Sequence, residues 1–418
     1  MMKIKDIYPK IIARENLYRS AYMASRGRRY RDTTADFNFC LEEEVGRLHN
    51  ELLTKSYRHG EYRLFTIYDP KERKIAAAPF RDRVVHHAVH DIIEPFIDKT
   101  FIHDSYACRK NKGSHKAIDR AQGFLKLCAF CLHGDIRKYF YSINHAILKE
   151  ILRMRVEDRD LLWLLDEIID SAIAVSGSGL AVGAENRTTQ TEHRTGLPIG
   201  NLTSQFFANL YLNELDYFIK FDLRISCYLR YMDDFLIFDD NKKTLFEAKA
   251  KIRDFLENRL GLKLHEGKTQ VYKTKNGIKF LGFRLYSGYR RLASDNVRRF
   301  RKRLKRFSGE WKVASGEKKP FTNHSSLATR HCNSVRCWVA HSKYADTKKL
   351  RSRLWSGLKE KNEPFAGLLK DILLDGVNDI PERERERVKC VARFALHIRI
   401  DKYRRFQCEN IRIKWRVP

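Results

Sequence analysis

The stretch from residue 228 to residue 238 constrains this chain most, because it sets two adjacent aspartates between two short apolar runs. Aromatic and branched residues on either side predict two buried strands joined by a tight hairpin. Asp233 and Asp234 repel each other at such a turn, so both ionise easily only beside a cation. Carboxylate and phosphate oxygens are the ligands that Mg²⁺ prefers. The stretch therefore predicts a magnesium site rather than a solvated Asp-Asp turn.

Length and charge narrow the range of partners. The chain has 418 residues and a formal net charge of +30. That length predicts about two or three domains, and that charge favours a nucleic acid over an anionic membrane as the partner. No run is apolar enough for a membrane span or a signal peptide. The nine cysteines show no regular disulfide spacing, which favours a cytoplasmic location. Cys128 and Cys131 have zinc-like spacing but no second pair, which favours small core residues.

The first 80 residues predict helices followed by a hairpin. Residues 1–60 are predicted to be helical, and one buried face carries Phe37, Leu41, Val45, Leu48 and Leu52. Residues 62–67 and 74–78 predict two strands joined by a turn that contains Lys71 and Arg73. Those two cations could clamp a triphosphate, and an ordinary basic hairpin is an equal alternative. A helix then opens at Phe80 and runs towards Pro95.

The next two segments supply phosphate-binding and carboxylate candidates. Residues 105–115 form a basic loop with a glycine, where Arg109, Lys112 and backbone amides could contact phosphates. Residues 127–132 predict an apolar strand, and Asp135 follows at its end, the edge where open α/β sheets place their chemistry. The segment after Asp135 is predicted to turn into a helix, with Ser142 as its N-cap. The alternative role for Asp135 is that of a helix-capping acid. Asp135 and Asp233 lie far apart in the sequence, so only the folding of the chain can bring their side chains together.

A polar loop and a glycine-proline turn precede the hairpin. Residues 176–195 are rich in Gly, Ser, Thr and Asn, which predicts a loop. Residues 196–205 predict a turn that opens a helix, where Gly200 lets the backbone approach a ligand closely. The buried stripe of that helix consists of Phe207, Leu210, Tyr211, Leu215 and Phe218. After the hairpin we expect a helix over 245–260, a segment carrying Lys268, and a strand pair over 278–285.

The last part of the chain is strongly basic. Residues 290–418 hold 34 Lys and Arg against 14 Asp and Glu, a net charge of +20. The predicted helix around residues 298–307 mixes cations with aromatic residues at helical spacing, which favours a surface that follows a phosphate backbone. The candidate contacts are Arg298, Arg299, Arg303 and Arg306.

The residues 231–234, Tyr-Met-Asp-Asp, resemble the YMDD box of reverse transcriptases, and the other segments follow in the order of that family's conserved blocks over about residues 60–290. The resemblance implies a right-hand polymerase of the α+β class, with fingers, a ferredoxin-like palm and a basic α-helical thumb. It also implies an N-terminal helical extension over 1–60, fingers and palm over 61–290, and a thumb over 291–418.

The resemblance implies a role for each matching residue. Asp135, Asp233 and Asp234 would be catalytic, and with Ile136 they would hold two Mg²⁺ ions. The residues implied to bind the dNTP are Lys71, Arg73, Phe140, Ile199, Gly200 and Lys268. Phe140, five residues after Asp135, matches the ring that excludes a ribose 2′-hydroxyl, and Lys268 matches the lysine near the leaving pyrophosphate.

Ile199 departs from most retroviral and group II intron enzymes, which have Gln at this position. The pattern Ile-Gly-x-x-x-Ser-Gln over residues 199–205 is similar to diversity-generating retroelement reverse transcriptases. That resemblance implies a retroelement RNA template, cDNA with errors at template adenines, and a small basic oligomeric accessory variability protein, with no membrane partner. The alternatives are an antiphage-defence or group II intron-derived reverse transcriptase, or a non-catalytic RNA-binding scaffold.

Overall fold

The computed structural model describes residues 3–68, 72–172, 194–316, 334–335, 337–345, 347–360, 370 and 373. The chain divides into two compact units, one formed by Met1–Ile278 with Tyr286–Gly288, and one by Lys279–Leu285 with Tyr289–Pro418. The finer division at residues 60 and 290 stays a prediction.

The described helices up to residue 260 are α1 Tyr8–Ile12, α2 Arg14–Ser25, α3 Asp32–Phe39, α4 Leu41–Leu53, α5 Phe80–Asp98, α6 Ser114–Leu127, α7 Tyr139–Ser142, α8 His145–Arg155, α9 Arg159–Asp170, α10 Leu202–Tyr211, α11 Asn213–Tyr217 and α12 Lys242–Leu260. The strands of this part are β1 Arg63–Ile67, β2 Arg73–Ala77, β3 Phe130–Asp135, β4 Tyr228–Tyr231, β5 Asp234–Asp239 and β6 Gln270–Lys273. Beyond them come β7 Ile278–Phe280, β8 Phe283–Leu285, β9 Arg290–Leu292, α13 Ser294–Gly316 and α14 Lys348–Glu360.

A four-stranded antiparallel sheet in the order β4-β5-β3-β6 lies at the centre of the first unit. Strand alternation sends Leu132, Phe235 and Ile237 into the main apolar core. Gly134 faces Phe235 across the strands, and a Cβ at Gly134 would lie 2.1 Å from the Phe235 ring. Only glycine therefore lets this ring pass over β3. Helix α12 packs along β3 and β5, and α6 packs on β4 and β5, so the sheet is covered by helices as an α+β fold requires.

The predicted hairpin near residue 70 is confirmed. Strands β1 and β2 pair antiparallel with Ile67 opposite Arg73. The N-terminal apolar face is also confirmed, although it belongs to two helices that meet at Cys40. Val45, Leu48 and Leu52 of α4 are buried in the main core.

Three local predictions need correction. The strand predicted over 127–132 is β3 over 130–135, because Leu127 still belongs to α6. Ser142 ends α7 instead of capping a helix, and the N-cap of α8 is Asn144, whose Oδ1 accepts from the amides of Ala146 (2.9 Å) and Ile147 (3.2 Å). Helix α5 continues through Pro95 to Asp98. The predicted loop over 176–195 lies almost wholly outside the described residues.

Within the described part of the chain, no helix combines the length and the apolar character that crossing a membrane needs.

Candidate active site

The two-residue turn between β4 and β5 presents the adjacent aspartates. Tyr231 pairs with Asp234 across the hairpin, so Met232 and Asp233 form the turn. Met232 has a φ of +58°, a left-handed conformation that a side chain other than glycine adopts only where its surroundings hold it. The predicted hairpin is therefore present, with a strained residue directly before Asp233.

Asp135 ends β3 and lies directly opposite Asp234 of β5. Directly opposed residues of an antiparallel pair point to the same face of the sheet, so these two carboxylates share one face. Burial, then the charges of Asp234 and Asp135, raise the pKa of Asp233 to about 6. The fold thus brings Asp135 to the hairpin and concentrates negative charge there.

A lysine approaches the same carboxylate group. The Lys268 ammonium donates to Oδ2 of Asp135, whose side chain is 11% exposed. The His265 amide donates to the Asp135 carbonyl (2.8 Å), which ties the segment carrying Lys268 to the end of β3. Lys268 and Asp135, two of the predicted site residues, are therefore in contact.

The donor set fits a hard divalent cation in its chemistry. It consists of carboxylates at the ends of two neighbouring strands and in the turn between β4 and β5. The raised pKa of Asp233 reflects burial first and then the like charges of Asp234 and Asp135, which a cation would neutralise. Ile136 has its side chain buried in the core, so only its backbone carbonyl could be a ligand. Among the described residues, no three His, Cys, Asp or Glu side chains converge closely enough to hold a metal by themselves.

The predicted nucleotide-binding segments are neighbours through the backbone. The Ala76 amide of β2 donates to the Ile199 carbonyl (3.1 Å), and the Ala78 amide donates to Asn201 Oδ1 (3.4 Å). Gly200 has a φ of +121°, and a Cβ there would lie 3.0 Å from Ile75. The strand with Arg73 and the turn with Ile199 and Gly200 therefore form one surface.

Phe140 is fixed to the same turn. Its carbonyl accepts from the Leu197 amide (2.7 Å), and its half-buried ring packs edge-on against Tyr139, with centroids 5.7 Å apart. Burial raises the pKa of Tyr141, an effect that the nearby charge of Arg73 partly offsets. Arg73 therefore lies near the helical turn that carries Phe140. Lys71 lies outside the described residues.

Arg109 has a different role from the predicted phosphate contact. Its guanidinium donates to Asp98 Oδ1 (2.5 Å) and to the carbonyls of Ile102 (2.7 Å) and Ser105 (3.0 Å), and its side chain is only 8% exposed. All of these bonds hold the loop together, so the guanidinium of Arg109 binds protein groups in this structure. Lys112 is half-buried and donates to the His103 carbonyl (2.6 Å).

The basic helix α13 belongs to the second unit. Phe300 and Leu304 form its buried face, and Arg298, Arg299 and Arg306 are exposed. Arg298 donates to Asp295 (2.9 Å). Arg303 is half-buried and donates to Ser334 Oγ (3.2 Å), so it is the most constrained of the four predicted arginines.

Sequence reasoning missed two residues beside the carboxylates. His133 approaches Asp234 through Nε2 and Oδ1 (3.3 Å), and its position two residues before Asp135 on β3 puts both on one face. Arg230, on β4, is fully buried and forms an ion pair with Asp216 (2.6 Å). A cation inside an otherwise apolar strand was the available signal, because a buried arginine requires a buried partner.

This sheet, with carboxylates at the facing ends of two adjacent strands and a basic unit after it, defines a right-hand nucleic-acid polymerase, as predicted. Residues 69–285, just over half of the chain, match the family described as reverse transcriptase (RNA-dependent DNA polymerase). The chain belongs to that family.

The chain is also similar to individual proteins. Protein YkfC of Escherichia coli (strain K12) is 26% identical over 287 residues, which cover 59% of this chain and 72% of that protein. Group II intron-encoded protein LtrA of Lactococcus lactis subsp. cremoris is 24% identical over 343 residues, covering 66% of this chain and 54% of LtrA. The match thus spans only about half the length of LtrA. A structure of apo telomerase from Candida tropicalis aligns over 78% of this chain and 61% of that chain, with 14% identity and a TM-score of 0.44.

Proposed function

We propose that this chain copies RNA into DNA by joining each dNTP to a primer 3′-hydroxyl at Asp135, Asp233 and Asp234. The observation that carries the proposal is the pairing of Asp135 with Asp234 across two strands, beside an Asp233 whose pKa is raised by its burial and its carboxylate neighbours. The reverse transcriptase family supplies the reaction class. No step requires the side chains to form a covalent intermediate.

Metal ions complete the site. When bound, two Mg²⁺ ions would lower the pKa of the primer hydroxyl and neutralise the charge of the triphosphate. Asp135 and Asp233 would hold both ions, with Asp234 and the Ile136 carbonyl as further ligands. The strands fix these groups before substrate arrives, so most of the acceleration comes from positioning and from charge stabilisation.

The remaining residues bind the nucleotide. Lys268 places a positive charge beside Asp135, where it would stabilise the leaving pyrophosphate as the carboxylate turns to a metal. Arg73 on β2, with Lys71, would hold the triphosphate. Phe140 would exclude ribonucleotides by a clash with the 2′-hydroxyl, and its bond to Leu197 fixes the backbone for that purpose.

Primer extension on an RNA template tests this assignment. Asp233→Asn should abolish Mg²⁺-dependent dNTP incorporation and leave RNA affinity largely intact, because it removes a metal ligand and no phosphate contact. Asp239→Asn is the matched control, since Asp239 lies at the opposite end of β5 and accepts from the Asn241 amide (2.7 Å). Near-normal incorporation by Asp233→Asn would overturn the assignment, and equal loss of RNA affinity would indicate misfolding instead.

Template RNA, nascent cDNA and dNTPs are the proposed partners. Lys112 and the exposed arginines Arg298, Arg299 and Arg306, with Arg303, would contact phosphates, and the net charge of +30 supports such a surface. The same charge and the unpaired cysteines of the described part support a cytoplasmic location.

We further propose that the enzyme belongs to a diversity-generating retroelement and copies its template RNA with errors at adenines. The support is the Ile-Gly-x-x-x-Ser-Gln sequence, in which Ile199 replaces an amide that could bond to the nascent pair. Its carbonyl bonds to β2, which ties the residue to the surface that would bind the nucleotide. A basic oligomeric accessory variability protein is the proposed partner.

A group II intron-derived reverse transcriptase is the second candidate, and the similarity to LtrA favours it. Sequencing of the cDNA that the purified full chain makes on an RNA containing all four bases in similar amounts distinguishes the two candidates. Errors concentrated at template adenines support the retroelement proposal. Errors spread evenly over the bases, at a low rate, favour the second candidate.

A further inference from the structure

The guanidinium of Arg230 is fully buried beneath the catalytic turn. Its Nε donates to Asp216 Oδ1 (2.7 Å), its Nη2 donates to Asp216 Oδ2 (2.6 Å), and its Nη1 donates to Asn209 Oδ1 (2.9 Å). A two-point bond to a carboxylate fixes the plane of the fork as well as its position. Helices α10 and α11 therefore determine where this group points.

The same guanidinium reaches the strained residue of the turn. Nη1 of Arg230 also donates to the carbonyl of Met232 (3.1 Å). That carbonyl belongs to the peptide that leads into Asp233, and Met232 has a φ of +58°. A strained conformation persists only where its surroundings hold it. This bond joins the turn to a fixed point of the core.

Arg230 also joins the turn to the loop that begins at Asp104. Its amide donates to the Asp104 carbonyl (2.9 Å), and its carbonyl accepts from the Tyr106 amide (3.0 Å). Nη2 donates to Ser105 Oγ (3.3 Å). Both the backbone and the side chain of Arg230 are therefore hydrogen-bonded to this loop.

We propose that Arg230 is a positioning residue for polymerisation: its fork, fixed by Asp216, holds the Met232 carbonyl and so sets the orientation of Asp233 towards the metal ions. This inference rests on the proposed role of Asp233 as a metal ligand. The function of Arg230 is exerted through the turn, and it touches neither nucleotide nor nucleic acid.

A purely structural role would have different consequences. A buried ion pair contributes little net stability compared with apolar residues of similar size, whereas removal of one partner leaves a costly unpaired charge. A structural arginine would therefore change the amount of folded protein without changing the metal requirement of each folded molecule. A positioning arginine would change that requirement.

Two variants separate these possibilities. Arg230→Lys keeps the charge but cannot reach Asp216, Asn209 and Met232 together, because an ammonium group has no planar fork. The double variant Arg230→Met/Asp216→Asn removes both charges, so no unpaired ion remains if the lysine variant folds poorly. Arg155→Lys is the matched control, since Arg155 is also buried and pairs with Glu214 (2.6 Å), on the same helix as Asp216, but has no hydrogen bond to the turn.

The assay is pre-steady-state dNTP incorporation by the full chain on an RNA–DNA primer–template, with burst amplitude counting active molecules and Mg²⁺ varied. For each active molecule, Arg230→Lys and the double variant should react at least about tenfold more slowly, since misplacement of a reacting group by about 1 Å costs on the order of 100-fold. The Mg²⁺ concentration for half-saturation should rise, primer–template affinity should not change, and high Mg²⁺ should restore part of the rate. Arg155→Lys should match the parent protein.

Unchanged rates and Mg²⁺ dependence for each active molecule in both Arg230 variants would overturn this inference. An equal loss of rate and an equal rise in Mg²⁺ requirement in Arg155→Lys and Arg230→Lys would also overturn it. Replacement of any buried arginine would then have the same effect. Asp233→Asn, measured in parallel, tests the proposed function separately. If Asp233→Asn is active, the metal-ligand assignment fails, and if it is inactive while the Arg230 variants are normal, only the inference fails.

Discussion

The negative charge gathered at the hairpin should make Asp233 destabilising in the absence of metal. Burial and the charges of Asp234 and Asp135 raise its pKa from 3.8 to about 6. At neutral pH the folded protein must therefore keep a carboxylate ionised in surroundings that oppose ionisation. Asp233→Asn removes that charge and keeps the shape of the side chain. We expect the variant to be more stable than the parent protein in EDTA and to be inactive in primer extension.

The size of the effect follows from the pKa. A rise from 3.8 to about 6 corresponds to about 3 kcal/mol at 1.36 kcal/mol for each pKa unit, so we expect a gain between about 1 and 3 kcal/mol at neutral pH. Because the folded pKa lies above the unfolded one, the penalty is absent below the unfolded value of 3.8 and complete above about 6. The advantage of the variant should therefore shrink as the pH falls through this window.

Urea unfolding in EDTA measures this difference directly, at about pH 7.5 and about pH 5, the two sides of the folded pKa. Added Mg²⁺ should stabilise the parent protein more than Asp233→Asn, because a ligand stabilises the state that binds it. Asp239→Asn serves as the control and should show neither effect. A variant less stable than its parent at neutral pH, or an advantage that grows on acidification, would refute the electrostatic account of the turn.

Three further predictions concern substrates. Phe140→Ala should raise the ratio of ribonucleotide to deoxyribonucleotide incorporation, since truncation removes the clash with the 2′-hydroxyl; an unchanged ratio would show that Phe140 is not the gate. Replacing Arg299, Arg303 and Arg306 together by Gln should weaken primer–template binding and lower the log–log salt slope by roughly 0.7 to 0.9 for each phosphate that is no longer neutralised. An unchanged slope would mean that this face of α13 meets solvent or a protein. Ile199→Gln should lower misincorporation opposite template adenine by about 2- to 13-fold, the equivalent of one hydrogen bond of about 0.5–1.5 kcal/mol. Its backbone should stay in place because the Ile199 carbonyl bonds to Ala76. If the error spectrum on an adenine-rich template does not change, Ile199 is only a mark of the subgroup.

The sequence predicted the hairpin that carries Asp233 and Asp234 because its signal is local. Alternation of apolar residues around Asp233 and Asp234 specifies two strands and a turn without reference to the rest of the chain. The end of α12 was equally readable, since Gly261 has a φ of +60° and closes the helix where expected. Asp135 was a candidate from its place at the end of a predicted strand, but its pairing with Asp234 depends on strand order and was expected only from the family resemblance.

The partners of the internal arginines were not predictable from the sequence. Arg109 and Arg230 are both cations in the sequence, yet each pairs with an internal carboxylate that lies elsewhere in the chain. Composition alone assigns such residues to a nucleic acid. Asn144 caps α8 in place of Ser142 for a similar reason, since two neighbouring polar residues compete for one cap and the position of the turn decides between them.

Metal binding tests the central claim most directly. Mn²⁺ can replace Mg²⁺ at oxygen ligands and can be counted by electron paramagnetic resonance in the full chain with primer–template and a non-hydrolysable dNTP analogue. The account predicts two bound ions in the parent protein and in Asp239→Asn, and the loss of at least one ion in Asp135→Asn and in Asp233→Asn. Two ions retained at unchanged affinity in both active-site variants would contradict it, because the carboxylates at the ends of β3 and β5 would then not be the metal site.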